Sequence, residues 1–141
     1  MNRTLVRALA LGGGVVLGGT LLAGPASAST LWVTQTVSTG YAKDTLYFNG
    51  VEVAFVALTE NANGSRLLEV CNIGGSYTDG LINVADANGN STDQIIDYED
   101  WAGGGCYEET LGYPIRKFEL NWFDNSTQTL YDPDNWMLPP T

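Results

Sequence analysis

The amino-acid sequence predicts an all-β domain, an immunoglobulin-like two-sheet β-sandwich with one disulfide, behind a cleaved N-terminal signal peptide. Three observations predict it. Short runs rich in Val, Ile, Leu, Thr and aromatic residues recur, with clusters of Gly, Asn, Asp and Ser between them. After Ala28 no stretch longer than ten residues carries apolar side chains at the three-and-four spacing of a helix, so period two governs the chain. Two cysteines, and no more, stand in the exported portion.

The export signal comes first in the chain. Arg3 and Arg7 stand without an acid ahead of an apolar stretch from Ala8 to Ala23, and Pro25 precedes the small side chains of Ala26-Ser27-Ala28. This is the order of charged, apolar and cleavage regions in a secretory signal, which places processing after Ala28. The stretch is interrupted by five glycines and falls short of the ~20 apolar residues of a membrane-spanning helix. The expectation is therefore residues 1–28 as signal peptide, 29–131 as the sandwich and 132–141 as a C-terminal tail, with a secreted, extracellular product and no membrane attachment after cleavage.

Within the sandwich, Leu31 to Val37 opens as a strand with Leu31 and Val33 on one face and Trp32 on the other. Leu46 to Phe48 and Val51 to Leu58 follow, joined by Asn49-Gly50, the pair favoured in a type I′ hairpin. Val53 to Leu58 is apolar on both faces, as a central strand is. Leu67 to Ile73 carries Cys71; Asp79-Gly80 reads as a turn before a strand from Leu81 to Ala85; Asn88-Gly89 reads as the next turn before Thr92 to Tyr98. Trp101 leads a Gly-rich loop to Cys106. Ile115 to Phe123 alternates cleanly, Phe118, Leu120 and Trp122 against Lys117, Glu119 and Asn121, and Thr129 to Tyr131 closes a last hairpin after Asp124-Asn125-Ser126. Strands at this spacing fit a sandwich better than a barrel.

The charge bounds the partners. The whole chain carries a formal net charge of −10. Cleavage removes two arginines and leaves Lys43, Arg66, Arg116 and Lys117 against all sixteen acids, a balance of −12. Such a field repels phosphate backbones and anionic headgroups, which argues against nucleic acid and membrane surfaces. An extracellular protein or a carbohydrate remains, with the domain expected as a monomer. In an oxidising compartment Cys71 and Cys106 pair, since the count leaves no other choice.

Chemistry is bounded by an absence. The chain has no histidine, which excludes Ser-His-Asp and Cys-His nucleophile systems and imidazole zinc sites. No cofactor is expected, apart from calcium. The candidate for that ion is the run Asp86 to Asp93, with Asp86, Asn88, Asn90 and Asp93 as oxygen ligands, although Ser91 occupies the sixth position where an EF-hand requires Gly, and a plain hairpin explains the same residues. Asp97, Glu99 and Asp100 beside Trp101, with Glu108 and Glu109 beyond the Gly-rich loop, supply paired carboxylates of the kind a glycoside hydrolase uses; an acidic solvated face is the plainer reading. Tyr77, Trp101 and Trp136 fall outside the core pattern. The expectation is a non-enzymatic binding module that presents Tyr77, Trp101, Trp136, Asp97, Glu99 and Asp100 to an extracellular protein or glycan. A carboxylate-dependent hydrolase and a structural surface protein without ligand are the alternatives.

Overall fold

The computed structural model describes residues 3–9, 30–101, 105–132 and 136–140. Among them every regular element is a strand and there is no helix, hence none long and apolar enough to cross a membrane. Ten strands form: β1 (Arg3–Leu9), β2 (Leu31–Ser38), β3 (Tyr41–Phe48), β4 (Val51–Glu60), β5 (Arg66–Asn72), β6 (Tyr77–Ala85), β7 (Ser91–Asp100), β8 (Gly105–Leu111), β9 (Ile115–Asp124) and β10 (Thr129–Tyr131). One antiparallel sheet runs β1-β2-β3-β4-β5-β8 and the other β10-β9-β6-β7. Of the expected signal peptide only 3–9 is described, as a strand beside β2, and the expected cleavage point at Ala28 lies outside the described residues. Cleavage there would remove β1 and make β2 the sheet edge.

The inner faces meet in one apolar core. Leu46, Val56, Leu58, Leu68 and Val70 from the first sheet pack with Ile82, Phe118, Leu120 and Trp122 from the second. Burial of side chains this size contributes roughly 1.5–3 kcal/mol each. On β9 Phe118, Leu120 and Trp122 face the core as expected, but Glu119 and Asn121 on the opposite face are buried too, so the strand is not half-open; Val53 to Leu58 lies on β4, flanked by β3 and β5. Asn49 and Gly50 both take positive φ, 51° and 85°, as a type I′ turn demands. The tail is drawn in as well: Phe118 and Met137 exchange backbone hydrogen bonds, and Met137 is buried.

Two strands begin well ahead of where the sequence pattern places them, and Gly105–Leu111, which the pattern did not mark as a strand, forms β8. β3 begins at Tyr41 because Gly40, at φ 69°, turns the chain there, while Asp44 faces inward beside Val56 and breaks the apolar pattern. β6 runs straight through Asp79-Gly80 with no turn. Gly80 serves the close approach of the two sheets: a Cβ there would lie 2.6 Å from Val70 Cγ2 and 3.3 Å from Val56 Cγ2.

Cys71 and Cys106 form the expected disulfide. They are opposite one another on β5 and β8 with Cα atoms 4.2 Å apart, so the bond fastens neighbours within one sheet. It holds β8, the strand that returns to the first sheet after the β6–β7 hairpin, in register.

Candidate functional site

The outer face of the four-stranded sheet is set by the alternation of β6. Thr78, Gly80 and Ile82 point inward, which turns Tyr77, Asp79 and Leu81 outward. Register then builds rows across the strands. Phe123 of β9 is paired with Tyr77, and Leu130 of β10 with Phe123. On the other side Asp100 of β7 pairs with Thr78, which brings the next residue, Trp101, level with Tyr77. The result is an apolar row across all four strands. Tyr77 and Phe123 stack in parallel with centroids 5.2 Å apart, and Trp101 leans on Tyr77 at 4.7 Å.

Beside this row lies a polar one. Glu99, Asp79 and Asn121 are partners across β7, β6 and β9, and the next outward level holds Asp97, Leu81 and Glu119. Carboxylate oxygens of Asp79, Asp97 and Glu99 all lie within 4.8 Å of one another. Asp97 and Glu99 are exposed, whereas Asp79 keeps only 8% of its surface and its Oδ1 is buried without a hydrogen-bond partner. The electrostatics follow. Burial, then the charges of Asp97 and Glu99, push the Asp79 carboxyl up to about 7. Asp97 is raised by burial and by Glu99, and the Tyr77 phenol by burial and the same three acids.

Trp101 joins the two rows. Its Nε1–H donates to Glu99 Oε2 at 2.6 Å, while the ring remains 63% exposed. Because Tyr77 and Phe123 stack on each other, their broad faces are largely occupied. Trp101, at the end of the stack, is the most exposed ring of the three.

The structure thus brings together four of the residues singled out by sequence: Tyr77, Trp101, Asp97 and Glu99. Asp100 stands apart, facing inward, where Oδ2 accepts the Asn72 backbone N–H at 2.9 Å. Trp136 also stands apart, half-buried beside β9 with the Lys117 ammonium 4.2 Å from its ring centroid. Glu108 and Glu109 belong to β8 in the other sheet, and Glu109 accepts the Tyr107 hydroxyl. In the turn Asp86 to Asn90, Asp86 Oδ1 accepts the N–H groups of Asn88 and Asn90 and Oδ2 accepts the Asn90 amide. These bonds, those of Asn90 foremost, hold the Asp86 carboxyl below the usual range and tie it into the turn. Asn88 and Asn90 thus meet Asp86 as N–H donors, while Asp93 lies in β7 with its own N–H on Ser91 Oγ.

Asp79, Phe123 and Asn121 belong to the face and were not singled out. The alternation of β9 puts Phe123 and Asn121 on one side of that strand, a signal present in the sequence. The signal for Asp79 is hidden by the glycine after it. An open concavity lined by Phe48, Val53, Gly75, Trp122 and Asp124 lies between the sheets at one end of the sandwich, and Asp79, Asp97 and Glu99 take no part in it. Compared with known proteins, the chain matches no family model, no curated protein and no solved structure.

Proposed function

We propose that this chain is a secreted, non-enzymatic recognition module with an immunoglobulin-like two-sheet architecture, and that it binds an extracellular glycan on the outer face of its four-stranded sheet. The observation that carries the reading is Trp101, a ring held 63% exposed at the end of an aromatic stack and oriented by its bond to Glu99. An exposed indole offers the flat apolar surface that the C–H face of a sugar ring covers. The carboxylates and the Asn121 amide beside it supply hydroxyl acceptors and donors. A neutral polysaccharide also tolerates the acidic field of the domain, which an anionic partner does not.

A glycan array probed with the purified protein tests this, with pull-down from extracellular fluid as the parallel arm. Glycan signal lost on Trp101→Ala supports the reading. Capture of a protein partner with the array silent favours a protein-binding face, and silence in both refutes a recognition role.

A second reading, a carboxylate-dependent hydrolase, draws on one observation, the Asp79 carboxyl raised to about 7 beside Asp97 and Glu99. A general acid needs such a pKa. Against it, the acids cluster on one sheet face with oxygens within 4.8 Å of one another, and do not flank a cleft in which a glycosidic bond would lie between them. Release of reducing sugar by the parent protein, abolished by Asp79→Asn, would replace the binding-module reading.

A further inference from the structure

We infer that Asp79, Asp97 and Glu99 form a calcium site that conditions the face carrying Trp101. This deepens the recognition reading by naming what governs the same surface. It is measured with the metal alone, so the two fail separately.

The donor set is three carboxylates from two neighbouring strands, with no sulfur or nitrogen ligand, which selects a hard cation. Three acids in a row of a sheet are common on an acidic surface and say little by themselves. The second observation is Asp79. Its Oδ1 is buried, with no hydrogen-bond donor from any described residue, while its carboxylate lies among the oxygens of Asp97 and Glu99. A buried polar atom without a partner costs about 1–3 kcal/mol, more for a charged group, and such atoms are ordinarily satisfied. Leu81 and Asn121 flank Asp79 on β6 and β9, and Lys117, the base on this side of β9, is engaged with Trp136. A cation between the three carboxylates neutralises the buried Asp79 group and converts their mutual repulsion into attraction.

Coordination chemistry points to calcium over magnesium. Calcium takes six to eight oxygens in flexible geometry and accepts several carboxylates, whereas magnesium demands a near-ideal octahedron and usually keeps most of its waters. The oxygens of Asp79, Asp97 and Glu99 lie within 4.8 Å of one another, close enough for one cation to bridge them. Three carboxylates leave several of the six to eight calcium positions for water or for sugar hydroxyls. Glu99 would then link metal and ring, since the same carboxylate accepts the Trp101 indole N–H.

The test is calorimetric titration of the purified protein with calcium chloride, paired with terbium luminescence excited through tryptophan, because Trp101 touches a proposed ligand. The expected Kd is about 10⁻⁴ to 10⁻³ M, the range of extracellular calcium modules, with displacement of terbium by calcium. Asp79→Asn and Glu99→Gln should each weaken binding about tenfold or more, as loss of a ligand charge does. Asp86→Asn should leave it unchanged. Asp97→Asn, at an exposed position, serves where Asp79→Asn fails to fold. No heat and no emission at about 10 mM metal, far above the expected Kd, overturn the site. Binding that survives Asp79→Asn but is lost with Asp86→Asn also overturns it, in favour of the turn. Calcium binding with a silent glycan array supports the site and sinks only the glycan reading. Glycan binding unchanged by chelator, with no calcium heat, does the reverse.

Discussion

Neutralising Asp79 should stabilise the fold, and the gain should depend on pH in one direction. The carboxyl stands at about 7 in the folded protein against 3.8 for an ordinary aspartate. A raised acid pKa means that the folded state holds the proton more tightly than the unfolded chain does. The group therefore costs nothing below about pH 4, and its cost grows as pH rises from there to about 7. At about 1.4 kcal/mol per pH unit the full cost is about 4 kcal/mol, and roughly half of that if the three acids share the proton. Asp79→Asn removes the charge while keeping the shape. In chelator, urea unfolding should give the variant about 2–4 kcal/mol more stability than the parent at pH 8 and no difference at pH 4. For a domain of this length that is an upward Tm shift of about 8 °C or more at pH 8. Millimolar calcium should raise the parent toward the variant and leave the variant where it is. A variant less stable than the parent at pH 8 in chelator would refute the account, since Asp79 would then be a satisfied anion.

Three further outcomes follow from the fold and the face. Gly80→Ala should destabilise by about 1–3 kcal/mol in chemical denaturation, because the added Cβ meets Val70 and Val56 where the sheets are closest. Replacing Cys71 and Cys106 together by alanine should cost about 3–4 kcal/mol, the loop-closure value for their separation, read as a lower urea midpoint. Trp101→Ala should reduce glycan binding at least about tenfold with a thermal midpoint within about 2 °C of the parent, as expected for an exposed ring outside the core.

The strands that could be read from sequence are those whose turn chemistry and alternation agree. Asn49-Gly50 fixes a hairpin by requiring two positive φ values, and Phe118, Leu120 and Trp122 repeat at two because β9 has one face on the core. The first half of β3 was hidden because Asp44 takes an inward position that the pattern reserves for apolar residues. Sheet order is less legible still, since β8 and β9 return to β5 and β6 across the sandwich and nothing local encodes it. The cysteine count is the exception. A disulfide brings two Cα atoms to within about 7 Å, so pairing Cys71 with Cys106 already sets their strands side by side, as β5 and β8 are.

The site was half legible for a related reason. Asp97 and Glu99 are two residues apart on one strand and must share a face, and Trp101 continues the same parity. Which residue of β6 stands opposite them depends on register, and that register shifts by a bulge near Asn83 and Ala85. Asp79 was masked more directly, because Asp-Gly is a turn signal wherever the glycine is there for its φ. Here the glycine is there for its missing side chain: β6 needs Gly80 so that Val56 and Val70 of the opposite sheet can approach. Asp79 points to the other face, between Glu99 and Asn121 of the neighbouring strands, and its backbone belongs to the same stretch of β6 that Gly80 seats against the core. Enlarging Gly80 should for that reason loosen Asp79 as well as the core, returning its carboxyl toward the ordinary range in a titration followed by NMR. A Gly80→Ala protein that lost stability yet kept Asp79 near 7 would separate the two and leave the burial of Asp79 to its own neighbours on β7 and β9.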